Sequence, residues 1–180
     1  MATRIEAHQE SIVMTNMWAH AADTPDGPFT IITDDCSVVC SGWTGDRAAM
    51  LDRIQALSPT MADDWNRPSC LDRAVAAVDA YYQGDGLPAS KVPTAQAAAP
   101  FHTRVRQALI NIPFGCRVTY AELAAAAGNP RAARAAAAAC ASNRTALFVP
   151  CHRVVRSDGS LGGFLYGLPL KQRLLDRESR

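Results

Sequence analysis

The stretch between residues 119 and 141 constrains the fold more than any other, because it predicts two short helices joined by a tight turn. Thr119 and Glu122 have the spacing of a capping box, in which each side chain accepts a hydrogen bond from the other residue's backbone N–H. The signals for the turn and for the second helix, predicted over 130–141, are Gly128, Asn129 and Pro130. Such a helix-turn-helix often places its second helix on DNA, but it also occurs as a purely structural unit.

The second predicted helix carries Arg131 and Arg134 among small alanines. Small side chains let a helix backbone approach DNA closely, and an arginine can reach into a groove or fill a gap in the base stack. The alternative is an alanine-rich helix whose arginines are simply solvated.

The tetrapeptide Pro150–Arg153 puts Cys151 directly beside His152. A cysteine attacks as its thiolate, and a free thiol with a pKa of about 8.5 is activated by a neighbouring base or positive charge. The apolar run 146–149 before it predicts a buried strand that ends at a site. A cysteine hydrolase is disfavoured, because adjacent residues of a strand point to opposite faces and direct proton transfer from Cys151 to His152 is hard to arrange.

Charge divides the chain, since residues 1–100 contain six Lys/Arg and thirteen Asp/Glu, whereas residues 101–180 contain twelve and four. The resulting charges of −7 and +8 predict a polyanion site in the second half, although solvated charges also cluster without one. Residues 84–100 are rich in Gly, Pro, Ala and Ser and resemble a connector. We therefore predict two domains, residues 1–95 and 96–180.

Apolar periodicity predicts the other elements. Two β-rich runs, 28–33 and 37–43, predict a hairpin. Helical spacing predicts helices over 47–57, 71–82 and 101–112.

The six cysteines form no Cys-x-x-Cys pair, and most are interpreted as buried apolar residues. Cys36 and Cys40 could bind zinc with His8 or His20, but no second pair of ligands lies nearby, so we predict no metal site. No stretch approaches the roughly 18 apolar residues that span a bilayer, and the N-terminus lacks the apolar region of a signal peptide. We expect a cytoplasmic protein that does not bind membranes.

Several segments together resemble the O6-alkylguanine-DNA alkyltransferases, also called methylated-DNA–protein-cysteine methyltransferases. The family's DNA-binding motif, active-site signature and C-terminal motif correspond to residues 118–134, 150–154, 158–163 and 171–178. Asn143 also lies eight residues before Cys151, as in that family. The resemblance runs without an evident gap from about residue 101 to residue 178.

The resemblance implies an α+β fold, in which a ribonuclease H-like α/β domain precedes a mostly helical domain with a winged helix-turn-helix. It implies repair of O6-alkylguanine in DNA, with O4-alkylthymine as a further candidate substrate. The damaged base would be flipped out, and its alkyl group would pass to a cysteine as a stable thioether. Each molecule would therefore act once, without a cofactor. The implied partner is double-stranded DNA containing alkylated guanine, and we expect the free protein to be a monomer.

The same resemblance implies roles for individual residues. Cys151 would be the nucleophile, His152 would take its proton through a water, and Glu178 would orient His152. Tyr120 would donate to the ring of the leaving guanine, and Asn143 would hold the turn before the active site. The residues expected to contact DNA are Thr119, Arg131, Ala132, Ala133, Arg134, Ala135 and Arg144. The residues expected to form the base pocket are Cys140, Val154, Phe164 and Leu165.

Two of these roles are more specific. Arg134 would fill the space that the flipped base leaves in the duplex. The backbone carbonyls of Cys151 and Val154 would face the exocyclic amine of the base. Taken singly, Tyr120 and Glu178 also fit a core aromatic residue and a solvated charge.

The chain departs from the family's pattern at several positions. Arg106 replaces a usual tryptophan, and because a buried charge is costly unless paired, either the local packing changes or that edge is exposed. Arg144 replaces the proline after Asn143, which loosens the turn. The other departures are Ala136, Ala137, Phe164, Leu165 and Tyr166. Together they predict a narrower pocket that favours methyl over larger adducts. The alternative function is a catalytically weak relative that binds alkylated DNA as a damage sensor or regulator.

Overall fold

The computed structural model describes residues 16–54, 60–61 and 67–179. Its first part is a four-stranded sheet with the strand order β3-β2-β1-β4. The strands are β1 (Asn16–Thr24), β2 (Gly27–Thr33), β3 (Val38–Gly42) and β4 (Thr60–Met61). Strands β1 to β3 form an antiparallel meander, and β4 pairs in parallel with β1. The predicted hairpin is confirmed as β2 and β3, and β1 extends it by a further strand.

Helix α2 (Ser69–Tyr82) packs against this sheet. Its buried side chains, among them Leu71, Val78 and Tyr81, recur at helical spacing, so the predicted helix over 71–82 is confirmed. Helix α1 (Arg47–Ile54) confirms the prediction over 47–57 as far as it is described, and Leu57 lies outside the described residues.

The segment 84–100 is more structured than the connector that its composition predicts. It contains the short helix α3 (Leu87–Lys91), which has a proline in its first turn, where the missing N–H costs nothing. Thr94 then forms a parallel bridge with Val38 beside the sheet. Part of the segment is therefore built into the fold.

The second part is helical, with one small parallel sheet. Its helices are α4 (Pro100–Ile110), α5 (Tyr120–Ala126), α6 (Ala133–Ala141) and α7 (Leu168–Glu178). Strand β5 (Val118–Thr119) pairs with β6 (Val154–Val155), and a single 3₁₀ turn over Cys151–Arg153 leads into β6. The α+β class, the helix predicted over 101–112 and the helix-turn-helix are thus confirmed.

The capping box at the start of α5 is formed as predicted. The Glu122 N–H donates to Thr119 Oγ1 at 3.2 Å, and the Thr119 N–H donates to Glu122 Oε2 at 2.6 Å. Gly128, with a φ of 83°, supplies the left-handed residue that ends a helix.

The predicted start of the second helix is wrong, because α6 begins at Ala133 and not at Pro130. The Asn129 side-chain oxygen accepts a hydrogen bond from the Arg131 N–H at 3.3 Å, and its carbonyl accepts one from the Ala132 N–H at 3.0 Å. These bonds make a turn instead of a helical first turn.

The strand predicted over 146–149 is also wrong. This run forms a buried turn, in which the Val149 N–H donates to the Thr145 carbonyl at 2.9 Å and Leu147 has a φ of 73°. All four apolar side chains are buried. A short apolar run signals burial, but it does not distinguish a strand from another buried conformation.

Two main groups of buried side chains make the core. One joins the sheet and α2 to residues 146–148 and to Leu170 and Leu174 of α7. The other lies between α4, α5 and α6, and it includes Val149 and Val154. The first group draws on both sides of residue 95, and the division into domains 1–95 and 96–180 stays a prediction.

Within the described residues, no helix has the length and apolar character needed to cross a bilayer. The same residues hold no group of three or more His, Cys, Asp or Glu side chains placed to bind a metal. Cys36 is exposed and Cys40 is buried, and His8 of the considered zinc site lies outside the described residues.

Candidate active site

A cavity of about 550 Å³ lies where α6, the 3₁₀ turn and the segment before α7 meet. Its wall contains half of the residues predicted for the site, namely Tyr120, Ala133, Arg134, Cys140, Asn143, Cys151, Phe164 and Leu165. Ala137, Arg156 and Tyr166 complete much of the lining. The fold thus gathers residues from distant parts of the sequence around one thiol.

Cys151 begins the 3₁₀ turn and is partly exposed to the cavity. Burial raises the pKa of its thiol, while a hydrogen bond from Asn143 Nδ2 to Sγ at 3.3 Å and the nearby Lys171 lower it. Because burial is the largest of these effects, the thiol needs a nearby group to take its proton.

His152 and Glu178 form a buried pair, with Nε2 and Oε1 2.7 Å apart and both side chains 1% exposed. Burial lowers the pKa of His152 and outweighs the opposing effect of Glu178, so the imidazole is neutral at neutral pH. Because a carboxylate only accepts hydrogen bonds, the ring proton is on Nε2, and the Nε2–H donates a hydrogen bond to Glu178. The lone pair of Nδ1 is therefore free to accept a proton.

Arg153 holds the same carboxylate from its other side. Its Nε donates to Glu178 Oε2 at 2.8 Å, and its Nη1 donates to the Ile112 carbonyl at 2.7 Å. The Gly115 N–H donates to Oε2 at 3.2 Å. Burial alone would raise the pKa of Glu178, but the hydrogen bonds from His152 and Arg153 and the charge of Arg153 lower it to about 2. Glu178 is thus an anion at all working pH values.

Lys171 is a fully buried residue that sequence reasoning did not single out. Its Nζ donates to the carbonyls of Val154 and Leu161, and burial lowers its pKa. The helical spacing of the sequence contained a signal for this burial, because Lys171, Leu174 and Glu178 lie on the same buried face of α7. A lysine on an apolar stripe must find polar partners inside the protein.

Val154 is the predicted pocket residue that the structure does not bring to the cavity wall. Its side chain is fully buried in the core between α4, α5 and α6, and its carbonyl accepts the Lys171 hydrogen bond.

Tyr120 lies across the cavity from the 3₁₀ turn, with its hydroxyl beside Gly162. A Cβ at Gly162 would lie 3.0 Å from that hydroxyl, so a larger residue there would require the tyrosine to shift by a few tenths of an ångström. Burial, together with the neighbouring Cys140 and Cys151, raises the pKa of Tyr120. The phenol therefore keeps its proton and can donate it in a hydrogen bond.

The residues predicted to contact DNA are only partly gathered at the cavity. Arg134 is exposed at its wall and Ala133 lines it, whereas the exposed Arg131 lies in the turn before α6. Ala132 and Ala135 are half-buried on the same short segment. The hydroxyl of Thr119 is used in the capping box, where it also donates to Glu122 at 2.8 Å.

Arg144 serves the turn mainly through its backbone. Its N–H donates to Gln96 Oε1 at 2.8 Å, and its carbonyl accepts a hydrogen bond from the Ser41 N–H at 2.8 Å. The turn after Asn143 is thus tied to β3 and to the 84–100 segment, and the expectation of a loosened turn is wrong.

The departure at position 106 is accommodated inside the protein. The Arg106 side chain is 8% exposed, and its guanidinium donates to the carbonyls of Gln96, Ala97 and Ser142 at 3.2–3.5 Å. Backbone oxygens take the place of an acidic partner, and the alternative of an exposed edge is wrong.

Tyr166 fits because of a glycine on β3. A Cβ at Gly42 would stand 1.7 Å from the Tyr166 hydroxyl. That hydroxyl donates to the Ser41 carbonyl at 3.2 Å and accepts from Arg53 Nη1 at 3.1 Å. The sheet therefore fixes one wall of the cavity, and Trp43 supports it from behind with its ring centre 5.4 Å from that of Tyr166.

Comparisons with known proteins identify relatives of this chain. The family model described as 6-O-methylguanine DNA methyltransferase, DNA binding domain, matches residues 100–180. The chain is 38% identical over 142 residues to the bifunctional transcriptional activator/DNA repair enzyme Ada of Escherichia coli, covering 78% of this chain and 40% of that protein. It is 38% identical over 107 residues to the probable methylated-DNA–protein-cysteine methyltransferase of Acanthamoeba polyphaga mimivirus, covering 59% of this chain and 71% of that protein.

Among solved structures, the Mycobacterium tuberculosis O6-methylguanine methyltransferase has a TM-score of 0.72 and 28% identity, covering 91% of this chain and 93% of that one. The fold and the cavity define a class of protein in which a helix-turn-helix lies beside a cavity lined by the Cys151 thiol. The chain belongs to the methylated-DNA–protein-cysteine methyltransferase family. It spans less than half the length of the Escherichia coli relative.

Proposed function

We propose that this protein repairs alkylated DNA by transferring the alkyl group of O6-alkylguanine, above all methyl, to the sulfur of Cys151. The observation that carries the proposal is the buried pair of His152 and Glu178, in which Nε2 lies 2.7 Å from Oε1, so that Nδ1 is the ring nitrogen left to accept a proton. A thiol that attacks an alkyl carbon needs such an acceptor for its proton, either directly or through a water.

In the proposed reaction, His152 Nδ1 takes the thiol proton through a water, and Glu178 stabilises the imidazolium that forms. The thiolate of Cys151 attacks the alkyl carbon in line, a carbon–sulfur bond forms, and the bond from carbon to O6 breaks. The electron pair of that bond stays on the guanine, whose developing charge is stabilised by a hydrogen bond from Tyr120. The proton held by His152 then passes through water to the released base, which restores neutral guanine. The thioether is stable, so each molecule reacts once and needs no cofactor.

The same proposal assigns DNA binding to the helix-turn-helix. The alkyl group lies inside the base stack, so the nucleotide must be flipped out, at a cost of a few kcal/mol. Helix α6 offers a surface of small alanines, and the exposed Arg134 at the cavity wall would fill the vacated space. The partner is double-stranded DNA with alkylated guanine, bound by a monomeric protein made of domains 1–95 and 96–180. A cytoplasmic location also belongs to the proposal.

The test is mass spectrometry of the protein after mixing with an excess of duplex that carries one O6-methylguanine. We expect one methyl per molecule, located on the Cys151 peptide, and restoration of an equal amount of guanine. Cys140→Ala is a matched control, because Cys140 is the other thiol in the cavity wall. Cys151→Ala should transfer nothing.

No transfer by the unaltered protein, with selective binding of the damaged duplex, would replace the proposal with the damage-sensor alternative. Methyl on Cys140 instead of Cys151 would overturn the assignment of the acceptor.

The walls formed by Phe164, Leu165 and Tyr166 support a preference for small adducts. The rings of Phe164 and Tyr166 pack against each other and against Trp43, which limits the movement of these two side chains. Transfer from O6-methylguanine should therefore be faster than transfer from O6-benzylguanine. Equal rates would show that the wall does not select.

A further inference from the structure

The side-chain amide of Asn143 is oriented by bonds on both of its ends. Its Nδ2 donates to the Val149 carbonyl at 2.8 Å and to Cys151 Sγ at 3.3 Å, which uses both of its hydrogens. Its Oδ1 accepts from the Thr145 N–H at 3.2 Å and from Gln96 Nε2 at 3.0 Å. Turning the amide over would set an oxygen against the sulfur and against the Val149 carbonyl.

Gln96 reaches this amide from a distant part of the chain. It lies in the segment that follows α3, 47 residues before Asn143. One hydrogen of Gln96 Nε2 goes to Asn143 Oδ1 and the other goes to Thr145 Oγ1. Because the Gln96 amino group is a donor, the Asn143 oxygen and not its amino group must face it.

Gln96 is itself oriented by the backbone at Arg144. The Arg144 N–H donates to Gln96 Oε1 at 2.8 Å, so this end of the glutamine must be an acceptor. If the Gln96 amide were reversed, its amino group would face the Arg144 N–H, which is also a donor. Its oxygen would face Asn143 Oδ1, which is also an acceptor. The Arg144 N–H thus orients Gln96, and Gln96 acts together with the Thr145 N–H and the Val149 carbonyl to set which end of Asn143 faces the thiol.

We propose that Gln96 is a positioning residue, which keeps the Asn143 N–H directed at the sulfur of Cys151 and so favours the thiolate. The inference rests on the proposed function of Cys151 as the alkyl acceptor. A hydrogen bond donated to an ionised group is stronger than one donated to a neutral group, so it stabilises the reactive form selectively.

Other groups around Cys151 also act on its ionisation. The titratable or charged side chains that face it from the surrounding elements are Arg53 on α1, Tyr120 on α5, Cys140 on α6, Tyr166 before α7 and Lys171 on α7, with His152 next to it in the chain. None of them touches Gln96 by a hydrogen bond within the described residues, so a change at Gln96 leaves them in place.

The test is the rate at which iodoacetamide alkylates Cys151 as a function of pH, followed by mass spectrometry of the Cys151 peptide. In Gln96→Leu the profile should move to higher pH, and the rate at neutral pH should fall by about three- to tenfold, because Asn143 Oδ1 loses one of its donors and the Asn143 N–H is held less firmly towards the sulfur. Gln107→Leu is the matched control, because Gln107 is an exposed glutamine on α4. Its profile should coincide with that of the unaltered protein.

A second variant, Gln96→Glu, keeps the size of the side chain and its acceptor for the Arg144 N–H. It cannot donate to Asn143 Oδ1 once it is ionised, so it should shift the profile in the same direction. If both variants lower the melting temperature but keep the original profile, Gln96 has only a structural role and the proposal is overturned.

Iodoacetamide needs no DNA, so the two proposals fail separately. A shifted profile in a protein that takes no methyl from DNA would reject the proposed function and keep the positioning role. An unshifted profile in a protein that does take methyl would do the reverse.

Discussion

Two equally buried carboxylates anchor helix α7, but their arginine partners differ in exposure to solvent. The side chains of Asp26 and Glu178 are each 1% exposed, and each binds arginine. Asp26, in the turn between β1 and β2, binds Arg173 at 2.6 Å and Arg177 at 3.0 Å, whose side chains are 53% and 23% exposed. Arg153, the partner of Glu178, is only 4% exposed.

The difference decides what the loss of each carboxylate would leave behind. Without Asp26, both arginines can turn towards water, and Arg177 still stacks over the Tyr82 ring at 4.7 Å. Without Glu178, Arg153 remains as a buried charge and His152 loses the group that sets its tautomer. Burial alone therefore does not distinguish the two carboxylates, whereas the buried histidine among the partners of Glu178 does.

The largest effect is expected from Glu178→Gln. This change keeps the shape but leaves Arg153 without a counter-charge, and breaking such a pair costs about 3–5 kcal/mol. Urea denaturation at pH 7 measures the loss of unfolding free energy. A loss below about 1 kcal/mol would mean that Arg153 is compensated by other groups.

The next largest effect is a dependence of the unfolding free energy on pH. The pKa of Glu178 is lowered to about 2 from an ordinary value of 4.5, so the folded state binds its proton less readily than the unfolded state. Its contribution, about 3 kcal/mol, is fully present above pH 4.5 and is lost as the pH falls towards 2. Denaturation series at pH 7, 5, 4 and 3 should show the unaltered protein and Glu178→Gln converging in acid. A constant difference between them would contradict this assignment.

A smaller effect is expected from Asp26→Asn. It removes two ion pairs and weakens the hydrogen bond from the Tyr82 hydroxyl, but the arginines regain water, so we expect a loss of about 1–2 kcal/mol. The melting temperature should fall by several degrees. An unchanged melting temperature would show that Asp26 does not fasten α7.

The smallest effect is expected from Arg173→Ala, because more than half of this side chain is exposed. An exposed pair of this kind contributes about 0.5 kcal/mol, and salt should reduce the difference further. Denaturation at low and at high salt measures it. A loss as large as that of Asp26→Asn would mean that Arg173 alone carries the contact.

The site was easier to predict than the structure that supports it. Cys151 and His152 are adjacent in the sequence, and the capping box of Thr119 and Glu122 is a local pattern, so both were visible in short segments. The roles of Glu178, Tyr120 and Asn143 came from the family resemblance and stay predictions. Gln96 gave no such signal, because its partners lie 47–49 residues away and only the tertiary fold brings them together.

The errors in the fold have a common physical origin. The run 146–149 is as apolar as a strand, but the chain must turn there to bring Asn143 and Cys151 to the same cavity. Pro130 is compatible with a first helical turn, but the Asn129 side chain binds the backbone two residues later and delays the helix. In both places a tertiary or side-chain contact overrides a local preference.

The most direct test compares single-turnover transfer from O6-methylguanine duplex by the unaltered protein, Asp26→Asn and Glu178→Gln, each measured where it is fully folded. If Glu178 sets the tautomer of His152 and Asp26 only fastens α7, Asp26→Asn should react within about twofold of the unaltered protein. Glu178→Gln should be slower by about 100-fold or more, the typical contribution of a positioned base. Equal rates for the two variants would contradict the division of the two carboxylates into a structural and a functional one.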